Sequence, residues 1–323
     1  MSAGGGVASL RSPCAPGAAD ERVAAPAGAF RVAVLAVPRS GLVLADGRVL
    51  HWREAERSVP GMLRGRRDVV LDVSLPAPLR EVLLRTCIEG GARAWIEMPG
   101  GYVVPAGERD LAVAALWRPV AAHRALLRVR EAVRCVGTFA PELAGALRRQ
   151  RHHLRYLSRS ELRAALASRA LAPVAAAFAP PGPWGLGAGD VIVAHVVRHL
   201  AHPLRFRNAR RLWRYAGLGV DGGRAQRVRR GQFPRHNESL RSALMQLPGL
   251  WLCSASPWAE VWEVMLPRCV ERHDARCGCG REGHARRIAW RGVVRIWLRD
   301  GWLRWREIAA HDAAEALRRW GLC

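Results

Sequence analysis

Four residues near the end of the chain have the right types to hold a metal. Cys269, Cys277, Cys279 and His284 form a Cys-x7-Cys-x-Cys-x4-His run, and thiolate and imidazole groups suit tetrahedral Zn2+. The first spacing is long and the Cys-x-Cys step is tight for one ion, so free thiols in a loop are the competing reading. A second chemistry is phosphate binding. Gly185, Gly187 and Gly189 lead into Asp190-Val-Ile-Val-Ala-His-Val-Val-Arg-His-Leu200. Glycines let a backbone approach phosphate, and the unpaired N–H groups of a helix start bind it. An ordinary turn before a buried helix has the same pattern. Arg207, Arg210, Arg211, Arg229, Arg230, Arg235 and Arg241 follow; the guanidinium fork matches two phosphate oxygens at once. Trp290, Trp297, Trp302 and Trp305 interleave with Arg291, Arg295, Arg299 and Arg304. Indoles in such a run can stack on bases. The favoured reading is plainer: a buried stripe on an amphipathic helix, with arginine on the solvated face.

The whole chain is cationic. Its 323 residues carry 51 basic against 27 acidic side chains, a formal net charge of +24, and no lysine occurs. A GC-rich genome accounts for arginine replacing lysine but not for the deficit of acids. The excess therefore points to a polyanionic partner, DNA above all. The eight cysteines are scattered in a chain long enough to bury a core, which excludes a disulfide scaffold and implies a reducing cytoplasm, with a nucleoid-associated location. No apolar run approaches a membrane span, and no secretory signal is evident.

The elements that must position these groups fall into blocks. Residues 1–28 are Gly-, Ala- and Pro-rich and read as a disordered tail. Strands are expected at 30–37, 42–45 and 48–52, with Asp46-Gly47 as a hairpin turn. A strand at 68–74, a helix at 77–90 and a strand at 92–98 complete a mixed α/β layer. Residues 119–178 have helical spacing and read as an arm that joins protomers. Ala179-Pro-Pro-Gly-Pro183 marks a domain boundary. A helical domain over 179–306, with a helix-hairpin-helix-like start, and a tail at 307–323 close the chain.

Within 185–306 several motifs occur in a telling order. Phe206, Arg207, Ala209, Arg210, Leu212, Tyr215, Gly217 and Leu218 come first. Arg229, Arg230 and Gly231 follow, then Asn237, Leu240, Arg241, Ala243 and Leu244, and a final helix opening at His284. This block resembles the C-terminal domain of the DEDD-type insertion-sequence transposases, the Piv/MooV family that includes the bridge-RNA-guided recombinases. The resemblance implies an RNase H-like (RuvC-like) N-terminal domain over 29–118, four acids holding Mg2+, a DNA partner, a structured guide RNA, and a dimer or tetramer. Only two acids match, Asp72 and Asp110. Ala36-Val37-Pro38 stands where the first is expected, and Val113 where the last is. Asp68 and Glu97 are substitutes to consider, and for Asp72 an exposed place on an edge strand is the plain alternative. The family's nucleophilic serine is missing as well: Asp221-Gly222-Gly223 holds its place, and the next serine is Ser239. The expectation is a DNA-binding protein of DNA transposition with an eroded active site. The alternative is a domesticated, non-catalytic nucleic-acid-binding regulator or structural protein.

Overall fold

The computed structural model describes residues 23–35, 41–125, 141–178, 189–221, 224–225, 236–253, 256–277 and 282–322. Strand β1 (Phe30–Val34) is followed by the hairpin β2 (Leu42–Ala45) and β3 (Arg48–His51). Asp46 and Gly47 both have positive φ, 51° and 78°, as a two-residue type I′ turn requires. The expected hairpin therefore forms, with Ala45 opposite Arg48. The third strand stops at His51 because helix α1 (Trp52–Leu63) begins there, the His51 side chain accepting the Arg53 N–H at 3.4 Å. Strand β4 (Asp68–Asp72), helix α2 (Ala77–Glu89) and strand β5 (Arg93–Glu97) stand where strand, helix and strand were expected. A short β6 (Val103–Pro105) and helix α3 (Glu108–Ala115) follow.

The six strands lie in the order β3-β2-β1-β4-β5-β6. The β1–β4 and β4–β5 pairs are parallel, and the rest are antiparallel. A parallel pair needs a crossover, which α2 supplies between β4 and β5. Both faces of the central strands are covered, so their sequences read as unbroken apolar runs rather than alternating ones. Val69 and Leu71 face the core under α1 and α2, while Val70 and Trp95 face the opposite side. β4 is thus central, and the edge-strand alternative for Asp72 is excluded.

The rest is mainly helical. Residues 117–125 are helical. They are followed by α4 (Pro141–Leu166), α5 (Ala172–Phe178), α6 (Asp190–Leu200), a 3-10 turn (Pro203–Arg205) and α7 (Ala209–Tyr215). A two-stranded ribbon, β7 (Val220–Asp221) and β8 (Arg224–Ala225), precedes α8 (Glu238–Leu244), α9 (Leu247–Cys253), α10 (Pro257–Cys277) and α11 (Glu282–Arg319). Asn208 and Asn237 cap α7 and α8, each side-chain oxygen accepting the N–H three residues on. The 38 residues of α11 make a rod about 57 Å long. Its buried stripe runs through Ala289, Val293, Trp297, Trp302 and Trp305, so the tryptophans are core. Trp290 stacks on Trp262, with planes 8° apart.

The boundaries drawn from sequence shift. Part of the first block is structured: Val23 pairs with Val103, whose N–H reaches the Val23 carbonyl at 3.0 Å. Residues 1–22 lie outside the described residues. At the end of the expected arm, Leu162, Leu166 and Phe178 share one core with α6, α8 and α11, while residues 126–140 of the arm lie outside the described residues. The division between the two main cores falls inside α3 instead, where Ala114 faces the sheet core and Val113 the helical one. Residues 307–323 are no tail either: α11 continues to Arg319, and Leu317 and Trp320 pack on Val70, Trp95 and Val103. Apolar spacing in this last segment is satisfied only by the far face of the sheet. Among the described residues no helix is long and apolar enough to cross a membrane.

Candidate functional site

The two surviving acids lie where the two layers meet. Asp72 ends β4, and its Oδ1 accepts the Ser74 N–H at 2.6 Å. Asp110 lies in the first turn of α3, and its Oδ2 accepts the Gly107 N–H at 3.1 Å. Arg80 on α2, only 4% exposed, donates from Nη1 to the Val73 carbonyl at 2.7 Å. Burial pulls the Arg80 guanidinium down to about 10, while the charges of Asp110 and Asp72 act to hold its proton. Burial pushes the Asp110 carboxyl up to about 6, against the Gly107 N–H and Arg80. His202 brings its Nε2 to 3.8 Å from Asp110, and burial and then Arg80 hold that imidazole neutral, near 3. A third acid arrives from α11: Asp312 pairs with Arg109, whose Nε also donates to the Ala170 carbonyl at 2.7 Å. Asp110's charge is among the causes that raise Asp312.

These groups do not fit the Mg2+ site implied by the resemblance. Metal binding needs free, ionised carboxylates converging on one point. Here Asp110 is buried, one oxygen of each acid is tied to a backbone N–H, and Arg80 and Arg109 supply the positive charge themselves. No cluster of three or more metal-ligating side chains occurs among the described residues. The substitutes do not serve either. At the other end of β4, Asp68 is gripped by Arg93 at 2.8 and 2.5 Å and by Trp95 Nε1 at 2.9 Å. Burial alone would raise its carboxyl, but those bonds outweigh it and hold it low. Glu97 lies 4.0 Å from Arg31. Arg80, His202 and Asp312 carry no local sequence signal, since each acquires its place only when distant segments pack.

The motif residues of the C-terminal block prove largely to be scaffold. The Asn237 amide nitrogen donates to Tyr215 Oη at 3.0 Å and to His199 Nδ1 at 3.1 Å. Tyr215 in turn donates to the His199 carbonyl at 3.0 Å. Arg205 lies over the Tyr215 ring at 4.8 Å. Gly217 has φ +69°, and a Cβ there would meet His236 and Arg241 at 2.7 and 2.8 Å, so glycine is required both for the turn and for the close approach. Phe206, Leu212, Leu218, Leu240 and Leu244 are core.

Of the phosphate candidates, Arg207, Arg210 and Arg211 are exposed at the start of α7 and Arg241 is half-buried on α8. Arg229, Arg230 and Arg235 lie outside the described residues, as do Gly185 and Gly187. Gly189 precedes α6, a helix buried over most of its length. The helix start already has an anion, Asp190, paired with Arg163 at 2.8 Å. In the serine's place, Asp221 ends β7, while Ser239 lies in the first turn of α8. The zinc set does not hold together. Cys269 and Cys277 both lie on α10, and eight residues of helix separate their Cα atoms by about 12 Å, too far to share one ion. Cys279 is outside the described residues, and His284 is exposed on α11.

No family model, curated protein or solved structure matches the chain.

Proposed function

We propose that this protein binds DNA, that it derives from an insertion-sequence transposase of the DEDD type, and that it works without metal-dependent strand transfer. The observation that carries the reading is the placement of Arg80. The mixed sheet, with β2 antiparallel and its neighbours parallel to β4, supports the RNase H-like reading of this half. Beside the end of β4, the buried Arg80 guanidinium feels the charges of Asp110 and Asp72, and His202 feels that of Arg80. A net charge of +24 and an arginine-lined helical half supply attraction for a polyanion through counterion release. A guide RNA and a homodimer or tetramer belong to the same reading. So does the competing role as a domesticated regulator or structural DNA-binding protein, which the arginine-filled acidic site favours over active transposition.

The test is to purify the tagged protein at moderate salt and sequence what comes with it, then to assay nicking with Mg2+ and Mn2+. Heterogeneous nucleic acid, affinity that falls steeply with salt, and no cleavage are expected. A discrete RNA encoded beside the gene would favour the guided-recombinase reading. Cleavage abolished by Asp72→Ala or Asp110→Ala would overturn the non-catalytic reading. No binding to duplex or single-stranded DNA at low salt would overturn the whole.

A further inference from the structure

Around the turn Gly217–Gly219 the structure gathers arginine donors and, among the described residues, no carboxylate paired with them. Arg295 of α11 donates from Nε to the Leu218 carbonyl at 2.7 Å and lies 5.7 Å from the Trp213 ring centre. The Trp213 indole N–H returns to the Arg295 carbonyl at 3.2 Å. Arg291 stands one turn earlier on the same face of α11. On the other side of the turn Arg241 packs its Cδ over Gly217, and its Nη1 lies 3.4 Å from His236 Nε2. A guanidinium can only donate, so His236 Nε2 accepts and the ring proton sits on Nδ1. That Nδ1–H is buried and has no hydrogen-bond partner among the described residues. Among the described residues Arg241, Arg291 and Arg295 form no ion pair with a carboxylate, unlike Arg93, Arg109 and Arg163.

We infer that Arg241, Arg291, Arg295 and His236 form a seat for one phosphate group, taken up as a phosphodiester of the nucleic-acid backbone. This rests on the DNA-binding reading above and names where the backbone is gripped. Three arginines, two of them held by His236 and the Leu218 carbonyl, and the His236 N–H are complementary to an anion with several acceptor oxygens. The charges strain one another while the seat is empty: burial and then Arg241 lower Arg291, and burial and then Arg291 lower Arg295. Among the described residues Glu238 is the acid that acts on this group, through His236, whose pKa burial and then Arg241 lower. Trp213 and the Leu218 carbonyl hold Arg295 in place, whereas among the described residues Arg291 has no such structural bond.

The test uses the full chain, a short labelled duplex of mixed sequence, and inorganic phosphate. Arg291→Gln and Arg241→Gln should each weaken duplex binding about tenfold and lower the slope of log affinity against log salt by about 1. Arg291→Lys should keep the slope. Arg57→Gln, an exposed change on α1, should leave both nearly unchanged. In phosphate-free buffer Arg291→Gln should raise the melting temperature, because it removes a repulsion; a purely structural arginine would lower it. If wild type binds duplex and Arg291→Gln and Arg241→Gln bind equally well, the seat is wrong and the DNA reading stands. If no nucleic acid binds but inorganic phosphate stabilises the wild type and not Arg291→Gln, the occupant is free phosphate, and the phosphodiester assignment falls together with the DNA reading.

Discussion

Replacing Arg80 by methionine keeps most of the side-chain volume and removes the charge. At pH 8 the change leaves Asp110 and Asp72 without their cation and the Val73 carbonyl without its 2.7 Å donor. Removing one partner from a buried charge cluster costs about 3–5 kcal/mol. The pH dependence follows from Asp110. Its folded pKa, about 6, lies above the ordinary 3.8, so the stability it contributes is complete below 3.8 and is lost as pH rises through 6. In the variant the carboxyl escapes by keeping its proton, and holding it at pH 8 costs up to about 2.7 kcal/mol more than wild type suffers (two pH units at 1.36 kcal/mol each). At pH 5 the wild-type carboxyl is already mostly protonated, so this share vanishes. His202, relieved of Arg80, protonates more readily in the variant and shifts the balance the same way. Urea unfolding followed by tryptophan fluorescence at pH 8 and pH 5 reads the difference. The loss should be about 3–5 kcal/mol at pH 8 and smaller by about 2–3 at pH 5. A loss below about 1 kcal/mol at pH 8, or an equal loss at both, would refute the placement of Arg80 as the cation of this site. Adding Asp110→Asn should recover part of the loss, a coupling of about 1–3 kcal/mol.

Acid should unfold the protein early. His195 is held at about 4 and His199 and His202 at about 3, burial being the largest cause for each. The unfolded chain binds protons that the fold excludes, so stability present above pH 6.5 drains away as pH falls toward 3; a urea midpoint that does not move between pH 7 and 4.5 would contradict this. Gly301→Ala should cost about 1–3 kcal/mol, because its Cβ would lie 2.2 Å from the Phe178 ring. Gly292→Ala should cost less, since it meets only the mobile end of Met265, and melting temperatures of the two variants would show the order. Trp320→Ala should cost about 2–3 kcal/mol by opening the contact with Trp95, whose ring centre lies 4.9 Å away. A neutral result in thermal unfolding would detach the end of α11 from the sheet.

What the sequence determined by itself was local. Asp46-Gly47 dictated its turn because two successive positive φ values favour few other pairs. The runs 68–74 and 92–98 declared strands, and the tryptophan spacing declared a buried helical face. Each of these signals is set by neighbours within a turn or a pleat. Which of 51 basic residues are structural was not legible, because an arginine reads the same whether it is solvated, paired or entombed. Only packing made Arg80 a buried cation, brought Arg241 within electrostatic reach of Arg291, and brought Asp312 within reach of Asp110. These residues are distant along the chain and meet because α11 is long enough to run from the helical core to the sheet. Periodicity records which face of an element is apolar. The partner that covers that face, and hence the burial that shifts a charge, is decided by tertiary structure alone.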